Sequence, residues 1–245
     1  LAAPGGRACF QRLRGAYRAL GFRADPIRRQ FYDLAAWDGP TLMVRSGAPI
    51  PTVEPALPTE GPLRVVFAGT LSERKRVEML VRAMLRLPDR IDWTLRIAGD
   101  GPKRELIEQQ AASPEANGRI TLLGHLPREQ VLAEMAQGEV FAMVSAAETL
   151  GLVYLEAMAC GMVTIGTRGL GIDGIIRDGE NGFLADGDED GLAALFTRIA
   201  DMPRPARHAI ARRAMETALS LTEEQAAADY LAQVRRAIDG GEQGG

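Results

Sequence analysis

Two glutamates eight positions apart, Glu148 and Glu156, are the residues whose type and spacing most directly indicate chemistry. The apolar run at 140–144 before them is typical of a buried strand, and a helical run at 152–160 follows. Glu148 is therefore predicted in the loop that leaves a strand, and Glu156 about one turn into the next helix. Open α/β sheets bind ligands at that edge, where a helix start attracts phosphate. The two carboxylates would accept hydrogen bonds from sugar hydroxyls on either side of a diphosphate.

The pattern around the two glutamates alternates between strands and helices, which favours parallel βαβ units and an α/β fold class. Strands are predicted at 63–69, 93–98, 119–123, 139–144, 162–166 and 183–185. Helices are predicted at 75–87, 103–112, 127–136, 152–160, 189–200, 205–219 and 222–238. Glycines end several of the strands and permit a close approach of backbone to ligand.

Composition excludes several other classes of protein. The chain has 245 residues, 46% of them hydrophobic, and this is enough for a full globular core. A net charge of −3 argues against a nucleic-acid binder. The two cysteines lack metal-ligand spacing, and no acidic cluster suits Mg²⁺. No apolar run is long enough to span a membrane, and reduced cysteines favour a cytoplasmic protein.

Five ordered blocks carry a resemblance to a known family. They are Phe67-Ala68-Gly69-Thr70-Leu71 with Lys75 after it, Ile97-Ala98-Gly99-Asp100-Gly101-Pro102, Glu148 to Glu156, Glu156 to Gly161, and Ile176 to Leu184. In order and spacing they resemble the donor-binding half of glycosyltransferase family 4, the retaining enzymes that use nucleotide sugars. The resemblance covers residues 61–235. It implies a Rossmann-like parallel sheet with helices on both faces, as in the C-terminal domain of a GT-B fold.

The resemblance also implies roles for individual residues. Glu148 would face the transferred sugar as the catalytic residue, Glu156 would bind the ribose, and Lys75 would neutralise the diphosphate. The chain departs from the family where Thr70 replaces a usual arginine and Arg76 a usual glycine, so Arg74 or Arg76 is expected to supply the missing guanidinium. The implied donor-binding set is Gly69, Thr70, Arg74, Lys75, His125, Leu126, Thr149, Leu150, Gly151, Leu152 and Glu156.

The implied reaction moves a hexosyl group from a nucleoside-diphosphate sugar, most often a UDP-sugar, to an acceptor hydroxyl on a glycan or lipid-linked acceptor. Retention, a front-face mechanism and independence from metals and other cofactors come with the resemblance. No nucleic-acid partner is expected.

Composition and the resemblance together divide the chain into four expected parts. Residues 1–45 would be a remnant of the N-terminal acceptor domain, 46–62 a proline-rich linker, 63–238 the nucleotide-sugar-binding domain and 239–245 a disordered tail. Most of the acceptor half is expected to be missing, so that the chain alone would be weakly active or inactive. The basic amphipathic helix at 7–20 could touch the inner face of a membrane, but we favour a helix of the first domain.

Other interpretations of the same residues stay open. The chain could be a nucleotide-sugar-binding module that needs a separate acceptor-binding partner, or a sugar-nucleotide epimerase of similar shape. A dinucleotide-binding domain is disfavoured because no Gly-x-Gly-x-x-Gly follows the first strand. Without a ligand, Glu148 could simply stabilise a helix N-terminus, and Lys75 could lie at a solvated helix start.

Overall fold

The computed structural model describes residues 60–148 and 151–222, together with 51, 55, 58, 224, 227, 228, 231 and 232. Ile50–Ser220 forms one compact unit. The predicted domain remnant at 1–45, most of the linker, the tail and most of the helix predicted at 222–238 lie outside the described residues, as do Thr149 and Leu150.

The centre of the unit is a six-stranded sheet in which every paired strand is parallel. Its strand order is β3-β2-β1-β4-β5-β6. Strands β4 and β5 are buried at every residue, and β1 is buried at every residue but Arg64, as strands covered on both faces are. The strands are β1 Leu63–Ala68, β2 Trp93–Ala98, β3 Ile120–Gly124, β4 Val140–Ala142, β5 Val163–Thr167 and β6 Phe183–Ala185.

Within residues 60–148 and 151–222, six helices connect and cover the strands. They are α1 Val77–Leu85, α2 Arg104–Ala111, α3 Arg128–Gln137, α4 Leu152–Ala159, α5 Glu189–Asp201 and α6 Arg204–Leu219. Helix α1 packs against α2 and α5, whereas α4 packs against α3 and α6, so helices lie on both faces of the sheet. The predicted Rossmann-like fold is therefore confirmed. Within the described residues, no helix is both long and apolar enough to cross a membrane.

The helix predicted at 75–87 is interrupted at its start. Glu73–Lys75 forms a 3₁₀ turn, and α1 begins only at Val77. Between them Arg76 adopts the left-handed conformation, with φ 50° and ψ 39°. A left-handed residue breaks the helical path, and for this reason Lys75 lies in a separate turn and not on the solvated first turn of a helix.

Aromatic side chains fix the helix that carries the second glutamate to the sheet. Tyr154 of α4 and Phe141 of β4 make an edge-to-face pair with ring centroids 5.9 Å apart. The Tyr154 hydroxyl donates a hydrogen bond of 2.6 Å to the carbonyl of Met143, just beyond β4. Burial is the main cause that raises the pKa of the Tyr154 hydroxyl, and the nearby negative charge of Glu148 raises it further. The hydroxyl therefore stays a neutral donor. The start of α4 is thereby held at the carboxyl end of β4.

The carboxyl ends of the first two strands lie unusually close together. Gly69 donates its backbone N–H to the carbonyl of Ala98, and Gly99 donates to that of Gly124. A Cβ atom built on Gly99 would lie 1.9 Å from the carbonyl oxygen of Gly69, and the φ angle of Gly99 is +153°. Only glycine fits this contact, which keeps the strand ends in register beneath the cleft described below.

Gly99→Ala should therefore destabilise the domain by about 2–5 kcal/mol, since the new methyl group meets rigid backbone and the backbone conformation is strained. Urea unfolding followed by circular dichroism measures the change in the free energy of unfolding. Gly118→Ala is the matched control, because Gly118 has φ +72° but open space around its Cβ position. It should cost only about 1 kcal/mol. Equal losses in the two variants would show that the close strand contact is not a constraint.

Candidate active site

A cleft of about 650 Å³ opens at the carboxyl edge of the sheet. The strand order reverses between β1 and β4, and the cleft spans that switch point, where open α/β sheets bind ligands. Its walls come from the ends of β1, β2 and β3 and from the start of α4. The cleft is lined by nine of the predicted site residues, namely Gly69, Thr70, Arg74, Lys75, His125, Leu126, Gly151, Leu152 and Glu156.

Lys75 and Glu148 form a short ion pair, in which Lys75 lines the cleft whereas Glu148 is not one of the lining residues. The Lys75 ammonium lies 2.5 Å from Oε2 of Glu148 and 3.1 Å from the sulfur of Met143. Lys75 is 9% exposed and Glu148 8% exposed. A lysine ammonium has three donors, and thioether sulfur is a weak acceptor, so Lys75 keeps capacity to bind an anion in the cleft that it lines.

The loop before Glu148 is tied to the turn that carries Lys75. Ala146 donates its N–H to the carbonyl of Arg74 at 2.7 Å, and the Arg74 guanidinium donates to the carbonyl of Ala147 at 3.1 Å. The same guanidinium lies 3.6 Å from the Glu148 carboxylate. Arg74 is half-exposed and faces the cleft, so it places a second positive charge beside Lys75.

Gly151 turns the chain from the Glu148 loop into α4. It has φ 69° and ψ 79°, and a Cβ atom there would lie 2.7 Å from the Tyr154 ring and 3.1 Å from Cγ of Glu148. The glycine therefore lets Glu148 and the helix start pack together. The first turn of α4 consequently lines the cleft, and the first turn of a helix carries unpaired backbone N–H groups and the positive end of the dipole.

Glu156 lies one turn into α4 and pairs with a residue that the sequence pattern did not single out. Nε of Arg128, the first residue of α3, lies 2.7 Å from Oε1 of Glu156. The Glu156 side chain is 16% exposed and that of Arg128 51% exposed, and both line the cleft. A cation at a helix start opposes the helix dipole, and this is the signal by which Arg128 could have been found. Asp100, after β2, is a second cleft residue missing from the predicted set.

The structure separates the two arginines that could replace the guanidinium missing at Thr70. Arg74 lines the cleft, whereas Arg76 donates to the carbonyl of Gly187 at 3.1 Å. Arg76 does not contribute to the cleft. Thr70 itself is exposed on the cleft wall. Thr149 and Leu150, predicted to offer backbone N–H groups to the diphosphate, lie outside the described residues.

The fold and the cleft define a domain of the GT-B glycosyltransferase type. Residues 52–217 match the family model described as glycosyl transferases group 1, and the chain belongs to that family. The predicted glycosyltransferase relationship is thus confirmed at the level of this family.

Curated relatives are similar over the same region. The chain is 33% identical over 178 residues to the lipopolysaccharide core biosynthesis glycosyltransferase LpsE of Rhizobium meliloti, which covers 72% of this chain and 50% of the relative. It is also 33% identical over 155 residues to the GDP-mannose-dependent alpha-(1-6)-phosphatidylinositol monomannoside mannosyltransferase of Mycolicibacterium smegmatis, which covers 60% of this chain and 40% of that protein. The chain thus spans about half, or less, of the length of these relatives.

Solved structures share the fold. Sucrose-phosphate synthase of Thermosynechococcus elongatus superposes with a TM-score of 0.68 at 26% identity, over 85% of this chain and 56% of that one. The HepE protein of Anabaena, solved in complex with UDP, gives a TM-score of 0.59 at 26% identity, over 70% of this chain and 49% of that one.

Lys75→Met should destabilise the domain by about 3 kcal/mol, because it leaves the Glu148 carboxylate buried without its closest cation. Adding Glu148→Gln to that variant should recover part of the loss, since the stranded charge is then removed. Urea unfolding of the four proteins in this double-mutant cycle measures the coupling.

Arg90→Met provides the control, because the Arg90–Asp201 pair is exposed and should contribute less than about 1 kcal/mol. A Lys75→Met loss no larger than that of Arg90→Met would contradict the importance assigned to the buried pair.

Proposed function

We propose that this domain is the donor-binding half of a retaining glycosyltransferase similar to family 4. The reaction would transfer a hexosyl group from a nucleoside-diphosphate sugar to an acceptor hydroxyl. The observation that carries the proposal is the Lys75–Glu148 pair, which lies at the switch point of the sheet beside the start of α4. That arrangement puts an anion-binding group and a sugar-binding group next to each other.

The charges of the cleft suit the parts of such a donor. Lys75, Arg74 and the N-terminus of α4 would hold the diphosphate, because all three are positive and face one space. Glu148 would accept hydrogen bonds from the transferred sugar, since its carboxylate lies against Lys75. Glu156, a turn further along α4, would bind the ribose hydroxyls.

The remaining predicted residues would complete the walls. Gly69 and Thr70 follow β1 and line the cleft together with Lys75, where a backbone without bulky side chains leaves room for phosphate. His125 and Leu126 follow β3 and line the same cleft as Arg128, on the side of Glu156. They are placed to contact the nucleobase end of the donor.

The proposed chemistry is a front-face displacement with retention. The bond between the anomeric carbon and the leaving phosphate oxygen breaks while the acceptor oxygen bonds to the same face of that carbon. The acceptor proton passes to the leaving phosphate. The chain's own part is to fix the donor and to stabilise the charge that develops on the diphosphate, through Lys75 and Arg74. No metal and no further cofactor take part in this proposal.

The relatives support the choice of substrate classes. HepE was solved with UDP, and the mycobacterial relative is named for its dependence on GDP-mannose, which supports a nucleoside-diphosphate sugar with UDP as the first candidate. Lipopolysaccharide core and phosphatidylinositol mannoside products of the relatives support a glycan or lipid-linked acceptor. These relatives favour glycosyl transfer over epimerisation. A cytoplasmic location with membrane contact stays a prediction.

Calorimetric titration of the 245-residue chain with UDP, GDP and ADP tests the proposal. At least one of the three should bind, because Lys75, Arg74 and Glu156 all line the one cleft. A protein that remains folded but gives neither binding heat nor a thermal shift with any of the three would sink the donor-domain proposal.

Glu148→Gln should raise the affinity for the bare diphosphate by a few fold, since Lys75 loses its closest competing anion. The same variant should lose the preference for the sugar conjugate over the bare diphosphate, because an amide accepts fewer hydrogen bonds from the sugar. Titration with the best nucleoside diphosphate and a panel of its hexose conjugates gives both quantities. Glu156→Gln is the control and should weaken all of these ligands alike. A Glu148→Gln variant that binds the bare diphosphate more weakly than the natural protein does, or that keeps the natural preference for the conjugate, would show that the roles are wrongly assigned.

A further inference from the structure

Arg128 occupies an unfavourable position unless an anion accompanies it. It is the first residue of α3, where the helix dipole repels a cation, and the residues three and four positions further along α3 are the uncharged Val131 and Leu132. Its Nε lies 2.7 Å from Oε1 of Glu156, which belongs to a different helix 28 residues along the chain. The pair therefore links the starts of α3 and α4 across one side of the cleft.

Glu156 is left with one oxygen available to a ligand. Oε1 accepts from Arg128, whereas no residue in the described part of the chain donates a hydrogen bond to Oε2. The side chain is only 16% exposed, yet it lines the cleft. A ligand that fills the cleft would shield this oxygen from water and would therefore have to supply its hydrogen-bond donor.

We propose that Arg128 is a positioning residue that determines the selectivity of the site for ribose over deoxyribose. Its guanidinium holds Oε1, fixes the side-chain torsions of Glu156 and presents Oε2 to a vicinal hydroxyl pair of the sugar attached to the base. The inference rests on the proposed function, because it requires a nucleotide in this cleft with its ribose at Glu156.

The geometry favours this indirect role over direct phosphate binding. Lys75 and Arg74 both lie within ion-pair distance of Glu148, whereas Arg128 pairs with Glu156. A ligand that extends along the cleft therefore meets its phosphate-binding cations at one carboxylate and Arg128 at the other. Removing Arg128 should free Glu156 to rotate and so weaken the hydrogen bonds to the ribose without removing a phosphate contact.

The test compares the 2′-hydroxyl and 2′-deoxy forms of whichever nucleoside diphosphate the chain binds best. In the natural sequence the ribonucleotide should bind about tenfold or more tightly than the deoxynucleotide, as expected for a hydrogen bond to a charged group. Arg128→Ala should reduce that ratio to within about threefold of one, while the affinity for the deoxynucleotide stays nearly unchanged. Arg82→Ala is the control, because Arg82 pairs with Glu189 between α1 and α5, away from the cleft, and it should leave the ratio intact.

A second comparison shows whether Arg128 acts through Glu156. In a Glu156→Gln background the ratio should already be low, and adding Arg128→Ala should not lower it further. Arg128→Lys should restore part of the ratio in the natural background, since an ammonium still pairs with the carboxylate but fixes it less rigidly. Thermal melts of all variants confirm that the proteins compared are folded.

Three outcomes would overturn the inference. The first is a ratio of ribonucleotide to deoxynucleotide affinity near one in the natural sequence, and the second is an unchanged ratio in Arg128→Ala. The third is an equal loss of affinity for both nucleotides in that variant, which would make Arg128 a phosphate or base contact. Failure of the natural chain to bind any nucleotide is a different result, because it would remove the proposed function itself.

Discussion

The buried ion pair between Lys75 and Glu148 is the interaction on which the arrangement of the cleft depends. It joins the turn after β1 to the loop after β4, which are the two loops on either side of the switch point of the sheet. Either charge alone would be costly at 8–9% exposure, so the two loops are stable only when they meet. Backbone hydrogen bonds from Ala146 and to Ala147 add to the same connection. The two loops beside the switch point are therefore held together by the protein's own contacts.

Each of the two carboxylates at the site is paired with a cation that lines the cleft, and this has a consequence for how a donor would bind. Glu148 is paired with Lys75, and Glu156 with Arg128. A diphosphate brings negative charge that Lys75 would have to share with Glu148, while the sugar hydroxyls bring donors that compensate Glu148 for the shared cation. Under the proposed function, diphosphate and sugar would thus support each other's binding. A bare diphosphate would meet the same competition without the compensation, and the complete nucleotide sugar is therefore expected to bind more tightly.

The sequence predicted most of the fold and most of the residues that line the cleft, but not the ion pairs that hold the side chains of the site. Strands buried on both faces read as apolar runs, and so the six strands and the loop position of Glu148 could be placed from pattern alone. The burial of Lys75 could not, because it follows from the left-handed conformation of Arg76. The Arg128–Glu156 pair also escaped prediction, since its members lie on different helices and are brought together only by tertiary packing. The divisions predicted outside the described residues stay predictions.

Arg76 explains how the chain keeps the turn that buries Lys75 without a glycine. A side chain in the left-handed conformation costs about 1–2 kcal/mol. The guanidinium of Arg76 donates to the carbonyl of Gly187, in the loop before α5, and such a hydrogen bond returns about 1 kcal/mol. The two effects nearly cancel, so an arginine is tolerated at a position where glycine would be expected from the resemblance. The strained residue also moves its own charge away from the cleft. Lys75 and Arg74 are then the cations that the turn presents to a diphosphate, and the turn's conformation, more than its number of basic residues, determines how much positive charge the site offers.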